Sequence, residues 1–128
     1  DYANFSSSSD IKAFWKKALS VKNKYGNSFL NVLAENNNIL GLQVCLLLGM
    51  PIKRLTSKLG PCGNTALHTS AAANQVEFFA FVSDLLKSKN LLASALQKKT
   101  DSEELTPLAI AQKQKSYGVI GYILSLPS

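Results

Sequence analysis

The chain has 128 residues, of which 46% are apolar and 17% charged, and its formal net charge is +6. This composition suits one folded domain with a continuous core and excludes a disordered tail protein. No apolar stretch approaches the ~18 residues of a membrane-spanning helix, and the first residues lack the basic and apolar regions of a secretory signal. Because the sequence does not begin with methionine, we expect a processed chain or a fragment of a longer protein.

The positive charge comes from thirteen lysines and a single arginine, Arg54. Proteins that bind phosphate more often use arginine, whose planar guanidinium pairs with two phosphate oxygens. We therefore interpret most lysines as solvated surface residues. The alternative is nucleic-acid or anionic-membrane binding through lysine-rich surfaces, either at Lys12, Lys16, Lys17 and Lys22 or at Lys53, Arg54 and Lys58.

The two cysteines, Cys45 and Cys62, do not indicate a metal site. They are far apart in the sequence, and His68 is the single histidine, so a set of zinc ligands is incomplete. We predict no metal and no cofactor. Two cysteines without a secretory signal fit a reducing compartment, which favours a cytoplasmic protein.

The first predicted element is an amphipathic helix in "SSSSDIKAFWKKALS". Asp10 can cap its start. Its lysines fall opposite one apolar stripe, which consists of Ile11, Phe14, Trp15, Ala18 and Leu19. Such a helix suits a membrane surface, but we favour an N-terminal capping helix, within residues 1–22, that closes the end of the domain.

A helix–turn–helix unit then occurs three times. The units begin "GNSFLNVLAENNN", "GNTALHTSAAANQ" and "ELTPLAIAQKQKS". Each has an Ala-rich first helix, a polar break and a bulkier apolar second helix, and the first helices are predicted at 28–36, 66–73 and 107–114. Because one unit cannot bury its apolar surface alone, we expect the units to stack.

Hydroxyl residues mark the start of each first helix. Their side chains can accept hydrogen bonds from free backbone N–H groups, and these N-cap residues are Ser28, Thr65 and Thr106. Pro107 follows Thr106, and a proline is tolerated in a first turn because its missing N–H has no helical partner.

These motifs resemble a known family. "GNTALHTSA" resembles the ankyrin repeat signature Gly-x-Thr-Pro-Leu-His-x-Ala, "LTPLAIA" resembles the same motif, and "LLLGMPIK" resembles the family's exit from the second helix. The resemblance covers residues 23–125. It implies an all-α, ankyrin-like stack of helix–turn–helix repeats (an α-solenoid), with units near 23–59, 60–100 and 101–128 in one domain.

The sequence also departs from the family pattern. Phe29 and Ala66 replace the proline, Asn31 and Ala109 replace the histidine, and Glu104 replaces the glycine. The units are longer than the family's ~33 residues. We expect the surplus segments "KRLTSKLGPC" and "KSKNLLASALQKKTDSE" to form loops on one face, with a short helix in "NLLASALQKK".

The resemblance implies a structural role for His68. It sits at the family's histidine position, where the imidazole bridges the backbone of adjacent repeats, and we expect its loss to cost about 1–3 kcal/mol. No nucleophile lies near it at a spacing typical of a catalytic triad. We therefore predict that this chain is not an enzyme, although a longer protein could carry a catalytic domain elsewhere.

The resemblance further implies a protein-binding module that acts as a monomer. Its partner-binding surface would comprise the hairpin tips and the exposed sides of the first helices, that is Lys24, Tyr25, Asn27, Glu35 and Asn36, then Pro61, Cys62, Asn64, Ala72 and Ala73, then Ser102, Glu103, Leu105, Lys113 and Gln114. We expect a shallow depression at the small residues of the middle unit, flanked by Tyr25. The composition also permits a secreted bacterial effector that acts in a host cytoplasm.

Overall fold

The computed structural model describes residues 8–101 and 103–126, and in these ranges the chain is helical without any β-strand. The all-α class predicted from the sequence is therefore confirmed. Two 3-10 helices, Ile52–Thr56 and Pro61–Gly63, lie between the third and fourth α-helices. The α-helices are α1 (Ser8–Ser20), α2 (Phe29–Glu35), α3 (Ile39–Leu47), α4 (Ala66–Ala72), α5 (Val76–Ser88), α6 (Leu92–Leu96), α7 (Pro107–Lys113) and α8 (Tyr117–Ser125).

Three helix pairs, α2–α3, α4–α5 and α7–α8, repeat the same local structure. Each first helix has seven residues and begins directly after a hydroxyl N-cap, namely Ser28, Thr65 or Thr106. In each cap the side-chain oxygen accepts a hydrogen bond from the third backbone N–H of the helix. A residue with positive φ then turns the chain into the second helix, and this residue is Asn37, Asn74 or Lys115.

Consecutive pairs pack in two layers. Helix α4 lies between α2 and α7, and α5 contacts both α3 and α8. The asparagines of the first two turns also cap the second helix of the next pair. Asn37 Oδ1 accepts from the N–H of Phe78 at 3.0 Å, and Asn74 Oδ1 accepts from the N–H of Val119 at 3.1 Å. Because both bonds reach the first turn of the following second helix, they fix how consecutive pairs are aligned.

The core lies between the layers, and α4 is at its centre. Every residue from Ala66 to Ala71 is buried, and its small side chains let α2 and α7 approach from both sides. Helix α5 contributes large apolar side chains to the core, since Phe78, Phe79 and Val82 are fully buried. Burying each such side chain stabilises the fold by about 1.5–3 kcal/mol.

Helix α1 packs against α2. Trp15 and Leu19 are buried, and Trp15 Nε1 donates to the carbonyl oxygen of Leu48 at 3.2 Å. Phe14 is 45% exposed, so the buried stripe is narrower than predicted. The predicted cap at Asp10 is wrong, because α1 already includes Ser8 and Ser9. Asp10 lies in the first turn, where a carboxylate still interacts favourably with the helix dipole.

The first surplus segment is not a surface loop, contrary to the expectation from the sequence. Its 3-10 helix Ile52–Thr56 packs on α4 and α5, and Leu55 is fully buried beside the core. Helix α5 has 13 residues and is longer than α3, which has 9, and the 3-10 helix contacts it. The second surplus segment forms the predicted short helix, α6, which buries Ala95.

Candidate functional site

The loops that lead into the three first helices share one closing hydrogen bond. The N–H of Asn23 donates to the carbonyl of Asn27 at 3.0 Å, and Gly60 donates to Asn64 at 2.9 Å. In the third loop the N–H of Thr100 donates to the carbonyl of Leu105 at 2.9 Å. The predicted tip residues lie in these tight loops, directly before the first helices.

Gly63 is required by the close approach of two of these loops. Its φ is +76°, and a Cβ at this position would lie 2.6 Å from the Asp101 carboxyl group. The N–H of Asp101 donates to the carbonyl of Cys62 at 2.8 Å, which holds the second and third loops together. An ion pair of 2.8 Å between Lys58 and Asp101 adds a contact at the same place.

His68 lies fully buried at the junction of the second and third pairs. Its Nε2 is 2.9 Å from the carbonyl oxygens of both Lys98 and Leu105, while Nδ1 is 3.1 Å from the backbone N of Thr65. Since a backbone N–H can only donate, Nδ1 is an acceptor and the proton resides on Nε2. The ring thus joins its own helix cap to the segment that enters the third pair.

The environment of His68 keeps its imidazole neutral. Burial, together with the nearby ammonium groups of Lys58 and Lys98, lowers the pKa of His68 below its ordinary value, although the bonds to the two carbonyls act in the opposite direction. Protonation of Nδ1 would also break its bond from Thr65. Both ring nitrogens therefore form hydrogen bonds with backbone groups, and neither is available as a proton acceptor for a substrate.

Asn31 performs the same task one unit earlier, which the sequence analysis missed. It is fully buried, and its Nδ2 donates to Thr69 Oγ1 at 2.7 Å and lies 3.4 Å from the Asn64 carbonyl oxygen. Its Oδ1 accepts from the hydroxyl of Ser28 at 2.8 Å. The signal was its position, three residues after an N-cap like His68, because an amide can donate and accept as an imidazole does.

A shallow depression of about 160 Å³ lies between the second and third pairs. Its apolar side chains come from α4, α7 and the third loop, and the exposed ion pair of Lys113 with Glu103, at 2.5 Å, lies at its edge. Most of its lining was predicted. The lining residues are Cys62, Asn64, Ala72, Thr100, Glu103, Leu105, Ile110, Lys113 and Gln114.

We expected a depression at the small residues of the middle unit, flanked by Tyr25, and two of those small residues, Cys62 and Ala72, line this one. Pro61 and Ala73 do not line it, although Ala73 is exposed next to Ala72. Tyr25 is exposed and instead contacts the Lys24 ammonium group, which lies 5.1 Å from its ring centre. The depression forms at a junction because two neighbouring first helices and a loop are needed to surround it. Thr100 and Ile110 were missed for the same reason.

The remaining predicted surface residues that the structure describes do not line the depression. Asn27 is half-buried, and Glu35 and Asn36 are exposed at the end of α2, where Glu35 accepts a bond of 2.8 Å from Gln75 Nε2 through its carbonyl oxygen. Ser102 lies outside the described residues. The first unit therefore adds an exposed edge to the surface and no part of the depression.

Two of the lysines considered for nucleic-acid or membrane binding are engaged within the protein. Lys58 pairs with Asp101, and the ammonium group of Lys22 donates to the backbone carbonyl of Leu59. Lys98, which was not among those candidates, donates to the backbone carbonyl of Thr56. Lys16 and Lys17 are exposed on α1.

The described residues contain neither a candidate membrane span nor a candidate metal site. None of the described helices has the length and apolar character needed to cross a bilayer. In the described part of the chain, no three His, Cys, Asp or Glu side chains are grouped closely enough to hold a metal ion.

Comparison with known proteins adds no family assignment. No protein-family model matches the sequence, and a search of curated proteins finds no similar sequence.

Proposed function

We propose that this chain is an ankyrin-like stack, an α-solenoid of three helix–turn–helix repeats, that binds a partner protein. The observation that supports this proposal most directly is the depression between the second and third pairs, whose lining includes Cys62, Asn64, Ala72, Glu103, Leu105, Lys113 and Gln114. The sequence pattern also predicts these seven residues on a partner-binding surface. The repeated inter-unit bonds of His68 and Asn31 support the repeat architecture.

The chemistry of the depression suits one apolar side chain of a partner. Ala72, Leu105 and Ile110 supply apolar surface, and polar groups surround them. A volume of about 160 Å³ corresponds to about five water molecules, which one aliphatic or aromatic side chain would displace. Binding energy concentrates where an apolar centre is shielded from water by a polar rim.

The proposal includes a non-enzymatic role without a cofactor. The side chain of His68, the single histidine, is occupied by backbone groups, so the chain offers no free imidazole as a general base. A binding module needs only the shape and polarity of its surface. We propose a monomer in the cytoplasm, or in a host cytoplasm if the protein is a secreted effector.

The test is capture of a partner by Ala73→Arg and by a matched control. Ala73 is exposed and directly follows Ala72, which lines the depression, so the long side chain of an arginine at this position can reach the depression from outside the core. Ala93→Arg makes the same change at an exposed position in α6. The domain and both variants would be used to capture proteins from lysates of the source organism and of any host.

We expect Ala73→Arg to lose the partner and Ala93→Arg to keep it, with unchanged helical circular dichroism in both. Equal capture by both variants would contradict a binding site at this depression. Neutralising Lys53, Arg54 and Lys58 together should change the affinity for the protein partner by less than about tenfold, or ~1.4 kcal/mol. Loss of binding in that variant, with tolerance at Ala73, would favour the electrostatic alternative.

A further inference from the structure

The fold joins two basic segments that are far apart in the sequence. Lys12 of α1 and the residues Lys53 and Arg54 of the 3-10 helix Ile52–Thr56 line one cleft of about 250 Å³, together with Pro51 and Ser57. The described lining contains no carboxylate and no aromatic side chain. Three cationic groups therefore surround a single concave site that is distinct from the depression between the second and third pairs.

These cations have no partner among the described residues. Neither described ion pair involves Lys12, Lys53 or Arg54, and their side chains make no hydrogen bond within the described ranges. Lys22, Lys58 and Lys98, by contrast, all bind carboxylate or carbonyl oxygens. Arg54 is only partly exposed, and within the described ranges its guanidinium has no hydrogen-bond or ion-pair partner.

We propose that this cleft binds a small ligand carrying at least two phosphate groups. The fork of Arg54 can bind two oxygens of one phosphate, and the two flexible lysines can neutralise a second one. The hydroxyl of Ser57, which is half-buried without a side-chain hydrogen bond in the described ranges, supplies a further donor.

The size of the cleft favours a compact ligand over a nucleic acid. Its volume of about 250 Å³ corresponds to about eight water molecules, which suits a phosphorylated sugar or a lipid headgroup of that kind. A protein that binds single-stranded nucleic acid presents an extended basic groove with aromatic side chains for base stacking. The described lining of this cleft contains no such side chain.

The first experiment measures binding of inorganic tripolyphosphate by isothermal titration calorimetry. The double variant Lys53→Gln/Arg54→Gln removes two cations of the cleft. The control Lys87→Gln/Lys89→Gln removes the same charge from exposed positions at the end of α5. We expect the cleft variant to weaken binding by more than about tenfold and the control by less than about threefold. The single variant Lys53→Gln, at an exposed position, tests the same point if Arg54 proves necessary for folding.

The second experiment identifies the source of the phosphates. Soluble inositol trisphosphate is titrated in solution, and vesicles of phosphatidylcholine, with and without a phosphoinositide bisphosphate, are used in sedimentation. Binding of inositol trisphosphate alone supports a soluble ligand, whereas cosedimentation that requires the phosphoinositide supports a lipid headgroup. Either result must disappear in the cleft variant.

Two results would overturn the proposal. Equal weakening by the cleft variant and its charge-matched control would mean that tripolyphosphate responds only to net charge. Binding of duplex DNA without binding of tripolyphosphate or inositol trisphosphate would mean that the basic surface recognises an extended polyanion. Neither result bears on the partner-binding depression, whose test uses a different variant.

Discussion

Replacement of His68 by alanine should destabilise the protein without any other change in its chemistry. The substitution removes the ring's bonds to three backbone groups, the N–H of Thr65 and the carbonyls of Lys98 and Leu105. Because the two carbonyls share the single proton on Nε2, the ring makes about two full hydrogen bonds to the backbone. At about 1 kcal/mol net for each, the loss amounts to about 2 kcal/mol, within the expectation from the sequence. For a domain of this length, that loss lowers Tm by about 7 °C.

Urea unfolding followed by circular dichroism measures this change in the free energy of unfolding. Gln43→Ala, at an exposed position of α3, is the control, and it should alter stability by less than about 0.5 kcal/mol. If His68→Ala were as mild as that control, the imidazole would not be a structural bridge. The interpretation of the second and third pairs as one hydrogen-bonded stack would then lose its main support.

Three further predictions concern stability. The pKa of His68 is lowered in the folded protein, so its contribution to the free energy of unfolding is complete above the ordinary pKa of about 6.5. Below that pH the unfolded chain binds the extra proton, and the free energy of unfolding falls by up to ~1.4 kcal/mol per pH unit. Urea titrations across this range should show the loss in the wild type, and a persistent loss in His68→Gln would contradict the assignment. Asn31→Ala removes its bonds to Thr69 and Ser28 and should lower the free energy of unfolding by about 2 kcal/mol, whereas a loss under about 0.5 kcal/mol would argue against its bridging role. Gly63→Ala should lower Tm, because the φ of Gly63 is positive and Asp101 occupies the space that a Cβ would need. The matched Gly121→Ala, in an open position of α8, should raise Tm slightly, and the opposite order would refute the close approach at Gly63.

Features set by short-range interactions were predictable. Ser28, Thr65 and Thr106 are N-caps because a hydroxyl accepts from an N–H three residues ahead, and this geometry belongs to the local backbone. The alternation of small and bulky apolar segments likewise specified the helix pairs. The all-α class follows from these local patterns, and the expected structural role of His68 came from the resemblance of its motif to the ankyrin repeat signature.

Features set by packing between distant segments were not predictable from the residues alone. Asn31 looked like a departure from the repeat pattern, yet its amide meets Thr69 across the first junction. Leu55 lay in an expected surface loop, but its 3-10 helix packs on α4 and α5, and its side chain is fully buried. In both cases the partner lies outside the local segment, so its identity depends on how the helix pairs are stacked.

The two candidate sites also combine features that the sequence predicts with features that depend on the packing of distant segments. The sequence by itself determined which side chains carry charge or apolar surface, and it suggested that loops and first helices face a partner. Only the tertiary structure decided that the depression lies between the second and third pairs and that Lys12 shares a cleft with Arg54. A concave site requires surfaces from several elements, and their juxtaposition arises from burial of the core, which no single segment of the chain encodes.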